Sequence, residues 1–132
     1  MATMRESYPA RPEALARARH AAVRRAKNLG ADDSVAQAVA LAVTEACSNV
    51  VVHAYRDAAR PGAMTVALER PNTHLCLYVT DDGIGIRPRL DSPGLGLGIP
   101  LISELTAAFE LRKRPEGGTE LCMRFALRMA ER

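Results

Sequence analysis

Asp81-Asp82-Gly83-Ile84-Gly85-Ile86-Arg87-Pro88-Arg89-Leu90-Asp91-Ser92-Pro93-Gly94-Leu95-Gly96-Leu97-Gly98-Ile99-Pro100 divides the chain. Its density of glycine and proline breaks any regular period, so it reads as a loop. On its N-terminal side, Met64, Val66 and Leu68 alternate with Thr65, Ala67 and Glu69. Leu75, Leu77 and Val79 alternate with Cys76, Tyr78 and Thr80. A period of two marks half-buried strands, and Arg70-Pro71-Asn72-Thr73 is a hairpin turn between them. On the C-terminal side a helix should start near 98–101 and carry Ile99, Ile102 and Leu105. Phe109 and Leu111 then open a third strand. A turn at 115–118 leads to a last strand with Leu121, Met123, Phe125 and Leu127.

The half of the chain before these strands has a different period. Leu15, Ala18, Ala22, Val23, Ala26 and Leu29 recur at helical spacing between Pro12 and Gly30. These suit a helix start and a helix stop. Ser34 with Gln37 predicts a capping box opening a second helix, with an apolar row at Val35, Val39, Ala42, Val43, Ala46, Val50 and Ala54. This helix should end near 55–56, and residues 57–62 form the turn out of it. The brief, charged stretch 4–10 predicts a reduced N-terminal strand. Helices first and paired strands afterwards give an α+β class. The expected architecture is a two-layer sandwich, with helices on one face of a mixed, mainly antiparallel sheet.

Composition narrows the function. The chain has 132 residues, 48% of them apolar, and a net charge of +3. That fits one globular domain, 1–132, with a core at about 11–128. Cys47, Cys76 and Cys122 are odd in number and widely spaced, and match no metal or disulfide pattern. No uninterrupted apolar run reaches the ~20 residues of a membrane span, and the charged N-terminus lacks the apolar segment of a signal peptide. A cytoplasmic protein is expected, with no membrane contact. Residues 1–30 hold seven basic groups, Arg5, Arg11, Arg17, Arg19, Arg24, Arg25 and Lys27, against Glu6 and Glu13. No aromatic residue interleaves with these arginines, so a solvated helix face is favoured over direct nucleic-acid binding.

Four motifs carry chemistry. Glu45, Asn49 and His53 fall at i, i+4 and i+8, one row along the edge of the apolar stripe. Polar groups so placed need partners or a ligand; His53 reads as structural. Asp81-Asp82-Gly83-Ile84-Gly85 follows a strand. There a carboxylate can accept from a ligand amine, and glycines let the backbone approach a flat ligand. Gly94-Leu95-Gly96-Leu97-Gly98 precedes a helix, whose free N–H groups suit an anion. No Gly-Lys-Ser/Thr is present, and the spacing departs from the dinucleotide-binding fingerprint. Gly117-Gly118-Thr119 opens the last strand.

In this order the motifs resemble those of Bergerat-fold ATPases of the GHKL superfamily. Glu45 with Asn49 is similar to its N box, and Asp81-x-Gly83-x-Gly85 to its G1 box. Gly94-x-Gly96-x-Gly98 is similar to the G2 box, and Gly118-Thr119 to the final glycine–threonine element. Val43-Thr44-Glu45-Ala46-Cys47-Ser48-Asn49, closing with His53-Ala54-Tyr55, most resembles bacterial anti-sigma factors that are also serine/threonine protein kinases. The resemblance covers about residues 11–128.

It implies ATP with Mg²⁺. Asn49 would supply the metal ligand, and Asp81 would read the adenine amino group. Gly83 and Gly85 would make room for adenine and ribose. Gly94, Leu95, Gly96, Leu97 and Gly98 would form the phosphate cradle. Arg87, with Arg89, is a lid cation within reach of a phosphate. Thr119 would support the adenine side, and Glu45 would act as general base on an acceptor hydroxyl. Implied partners are ATP or ADP, a sigma factor, an anti-anti-sigma (STAS-type) protein and a second copy in a homodimer. The first helix, with Arg17 and Arg24, is the candidate docking surface. Only eight residues, 86–93, separate Gly85 from Gly94. This short lid leaves a non-catalytic nucleotide-binding or sequestering module as the alternative. A detached histidine-kinase ATPase domain ranks below both.

Overall fold

The structure is a computed structural model that describes residues 3–55, 59, 62–83, 102 and 104–127. Five strands form one sheet. They are β1 (Met4–Pro9), β2 (Ala63–Glu69), β3 (His74–Asp81), β4 (Ala108–Lys113) and β5 (Thr119–Ala126). Their order is β1-β2-β3-β5-β4, and every pairing is antiparallel. Two helices, α1 (Leu15–Asn28) and α2 (Asp33–Asn49), pack on the sheet. The expected α+β two-layer architecture is the one observed, and the pairings among the described strands are wholly antiparallel rather than mixed.

The helices bury what their spacing dictates. Ala14, Ala18, Ala22 and Ala26 make a fully buried ridge of small side chains, which lets α1 approach its neighbours closely. Leu15 and Val23 lie at its margin. On α2, Val39, Ala42, Val43, Ala46 and Cys47 are fully or almost fully buried against the inner residues of the sheet. Those inner residues are Met64, Val66 and Leu68 on β2, Leu75, Leu77 and Val79 on β3, and Leu121, Met123 and Phe125 on β5. Ile102 completes the core, and residues 102, 104 and 105 are helical as expected. Cys47, Cys76 and Cys122 are free thiols.

Three local expectations are corrected. The N-terminal strand is complete: six residues of β1 pair with β2, from Met4 opposite Leu68 to Pro9 opposite Ala63. Met4 and Tyr8 alternate inward on it, with charges between them. The cap of α2 is Asp32, whose side chain accepts from the Val35 N–H at 2.9 Å, so the helix begins at Asp33 and not after Ser34. The helix also changes character before its end: Val50–Ala54 forms a π-helical turn. The continuous run Asp33–Ala54, 22 residues, is long and apolar enough to cross a membrane by length and composition. Alanine and valine dominate it, Asp33 and Glu45 are its only carboxylates, and it holds no lysine or arginine. In this fold its stripe is the core helix face, covered by the sheet.

Candidate functional site

The inner stripe of β3 continues past Leu75, Leu77 and Val79 to Asp81, and that of β5 runs back to Thr119. The two are register partners. A period of two therefore carries a carboxylate and a hydroxyl into the layer between sheet and helices. Asn49 enters the same layer from the buried face of α2. Asn49, Asp81 and Thr119, at 7%, 2% and 3% exposure, are the three polar residues buried among those described. Each is a residue that the sequence marked for nucleotide binding.

The two oxygens of Asp81 are held unequally. Its Oδ1 accepts the Gly83 N–H at 3.0 Å, while Oδ2 is buried with no hydrogen-bond partner among the described residues. Leaving a buried acceptor unmade costs about 1–3 kcal/mol, so this atom is where a ligand donor would bring the largest gain. Burial raises the carboxyl's pKa, and the Asp82 charge adds to it. The Gly83 N–H, the Arg114 guanidinium and the Thr119 N–H act in the opposite direction. Arg114 also donates to the Asp81 carbonyl at 3.1 Å.

The backbone around Asp81 is packed so that side chains are excluded. Gly118 has φ +90°, and a Cβ there would overlap the Asp81 carbonyl. A Cβ on Gly83 would overlap the Ala54 carbonyl and meet the Tyr55 ring. Gly83 is thus pressed against the π-helical turn that ends the second helix, where extra turns of this kind often serve a site. Tyr55 locks the junction. Its hydroxyl lies 2.6 Å from the Ala63 carbonyl and also against Asp82 Oδ1, and it accepts from the Asp82 N–H at 3.1 Å. Burial, followed by the hydrogen bond to Asp82, pushes its pKa up to about 12, so it remains a neutral donor at any physiological pH.

Sequence reasoning gave Tyr55, Asp82 and Arg114 no role. Tyr55 directly follows the His53-Ala54 pair and Asp82 directly follows Asp81, but only the fold shows that they meet. Glu45 is half-buried one turn before Asn49, and neither makes a side-chain hydrogen bond among the described residues. Asn49 offers a hard oxygen suited to Mg²⁺. His53 is half-buried in the π-helical turn. Gly85, Arg87, Gly94, Leu95, Gly96, Leu97 and Gly98 lie outside the described residues, as does the loop expected to contain them. Of the expected set, the structure joins Asp81, Gly83 and Thr119 and buries Asn49 at the end of α2, on the face turned to the sheet.

Comparisons with known proteins bear on the family and the fold. The family described as histidine kinase-like ATPase domain matches residues 8–125. A sensor histidine kinase, PdtaS, of Mycobacterium tuberculosis is 34% identical over 109 residues, 77% of this chain and 22% of that protein. PdtaS of Mycolicibacterium smegmatis is 30% identical over the same length. The chain thus spans about a fifth of these relatives. Among solved structures, one of the RsbU and RsbW domains of Rv1364c from Mycobacterium tuberculosis matches with a TM-score of 0.75. It covers 96% of this chain and 33% of its own, at 20% identity.

Proposed function

We propose, from the premise that this chain belongs to the histidine kinase-like ATPase domain family, that it is an ATP-dependent anti-sigma factor. It sequesters a sigma factor and phosphorylates a serine or threonine on an anti-anti-sigma partner. The adenine amino group donates to Asp81 Oδ2, the one buried side-chain acceptor without a partner among the described residues. This atom is the observation that carries the reading. Gly83 and Gly118 let the backbone around Asp81 pack against Ala54 and the start of β5 with no side chain between, which fixes the carboxylate's position. Asn49 would hold Mg²⁺, whose charge would offset that of the phosphates.

Glu45 lies one helical turn from Asn49, on the same row of α2. It takes the proton of the acceptor hydroxyl as that oxygen attacks the terminal phosphorus. The bond from that phosphorus to the bridging oxygen breaks, and ADP leaves. The Val43–Asn49 phrase supports the serine/threonine class of acceptor. The 34% identity to a sensor histidine kinase supports a second reading, the ATPase unit of a histidine kinase acting on a separate phosphoacceptor helix.

Calorimetry with ATP, with and without Mg²⁺, tests the pocket. Wild type should bind, and omission of Mg²⁺ and the Asn49→Ala substitution should each weaken binding. Asp81→Asn should lose about tenfold to a hundredfold, the worth of one hydrogen bond to a charged group. An affinity unchanged in Asp81→Asn would end the assignment of adenine to Oδ2. No binding by wild type would leave a sequestering module.

A further inference from the structure

Two strands from Asp81, a groove of about 310 Å³ lies between β1 and α1. Arg5 and Glu6 line it from the strand; Ala21, Arg24, Arg25 and Asn28 line it from the helix. β1 is an edge of the sheet, so one side of it presents backbone N–H and C=O groups to no neighbouring strand among the described residues. Some of the described arginines are paired and others, Arg11, Arg19 and Arg124 among them, are not; Arg5, Arg24 and Arg25 are set apart by converging on one groove. Arg70 is bonded to the Leu29 and Asn72 carbonyls. Arg112 and Arg114 are paired with glutamates, and Arg17 stands over the Tyr8 ring at 5.8 Å. Arg5, Arg24 and Arg25 have no ion pair or side-chain hydrogen bond among the described residues. The groove's single carboxylate, Glu6, accepts from the Tyr8 hydroxyl at 3.1 Å.

We infer that this groove binds an acidic protein segment in extended form, added as a sixth strand along β1 with its carboxylates on Arg24, Arg25 and Arg5. The exposed strand edge favours a peptide over a nucleic acid, because only a peptide can complete the ladder of backbone hydrogen bonds. Glu6 points the same way: it repels an unbroken run of phosphates and tolerates a peptide of mixed sequence. The docking surface thereby moves from Arg17, whose guanidinium is occupied by Tyr8, to the C-terminal half of α1. This inference is independent of nucleotide binding.

Fluorescence anisotropy on the whole chain, without nucleotide, tests it with a labelled octapeptide of alternating glutamate and valine. It should bind at least about tenfold more tightly than the lysine–valine analogue. It should also bind about tenfold more tightly than the same acidic peptide N-methylated throughout, which keeps its charges and loses its donors. The double variant Arg24→Gln, Arg25→Gln, with an unchanged circular dichroism spectrum, should lose about tenfold. Equal binding of the N-methylated peptide would overturn strand addition. Preference for oligo(dT) with a steep salt dependence would make the groove a nucleic-acid surface. Displacement of the peptide by inorganic triphosphate at equal concentration would make it a small-anion pocket. If the double variant does not fold, the peptide pair still decides.

Discussion

Asp81 ionises in the fold less readily than in the unfolded chain, because burial raises its pKa above the ordinary 3.8. Between the unfolded and the folded pKa the native state holds a proton that the unfolded state has released. The stability contributed by this group therefore falls as pH rises through that window, and the loss persists above it. Asp81→Asn has no such titration. Thermal melts of the apo-protein should show wild type losing stability relative to Asp81→Asn as pH rises from 3.8. A pH-independent difference would contradict burial as the cause. The same variant should bind ATP poorly. With the Gly83 N–H fixed on one side, an amide must turn its NH₂ either toward that donor or toward the adenine amino group. The free protein thus carries an unfavourable group that its ligand relieves. Gly118 shows the matching backbone constraint. At φ +90°, with the Asp81 carbonyl in the way of a Cβ, Gly118→Ala should cost about 1–3 kcal/mol in denaturant unfolding.

At the scale of elements, the site depends on where α2 stops. The π-helical turn Val50–Ala54 brings the Ala54 carbonyl and the Tyr55 ring against Gly83, and Tyr55 then ties β2 to the end of β3. Tyr55→Phe keeps the ring and removes the hydroxyl that serves Ala63 and Asp82. It should cost about 0.5–1.5 kcal/mol of stability, because exposed hydrogen bonds to Ala63 and Asp82 are exchanged for bonds to water. It should also weaken ATP binding, since Asp81 and Gly83 flank the freed residue. Weaker stability with unaltered ATP affinity would limit Tyr55 to a structural role. Asp32→Ala, by removing the cap of α2, should cost about 1 kcal/mol in stability and leave the site intact.

This junction marks the limit of what the sequence discloses. Both helices and the strands β2, β3 and β5 follow from periods that survive in the fold, because each element has one buried face. β1 was underestimated because only Met4 and Tyr8 are buried on it, too few to establish a period. The π-helical turn has no local signature, since Val50, Val51 and Val52 would extend an α-helix equally well. Asp81, Asn49 and Thr119 were legible as motif positions. That they are the buried polar residues of one layer depends on the β3–β5 register, which pairs residues 38 apart.

At the scale of the whole molecule, the two helices on a single sheet face leave the fold with one polar layer at one end and a basic groove at its β1 edge. That division suits a protein that reads nucleotide state in one place and meets a partner in another. The acceptor of phosphate is decided by the chemistry of the product. A phosphorylated serine or threonine survives acid and is lost in hot alkali, while phosphohistidine is stable to base and hydrolysed by acid. With labelled ATP and a STAS-domain protein, transfer should yield an acid-stable product. Glu45→Ala should slow it by about a hundredfold or more, the usual worth of a general base, while ATP affinity is maintained because Glu45 acts on the hydroxyl and not on the nucleotide. An acid-labile product on a helical phosphoacceptor would move the chain to the histidine-kinase reading that its 34% identical relatives support. Transfer undiminished in Glu45→Ala would remove the base from α2, and the proton of the attacking oxygen would then have to leave by another residue of this layer.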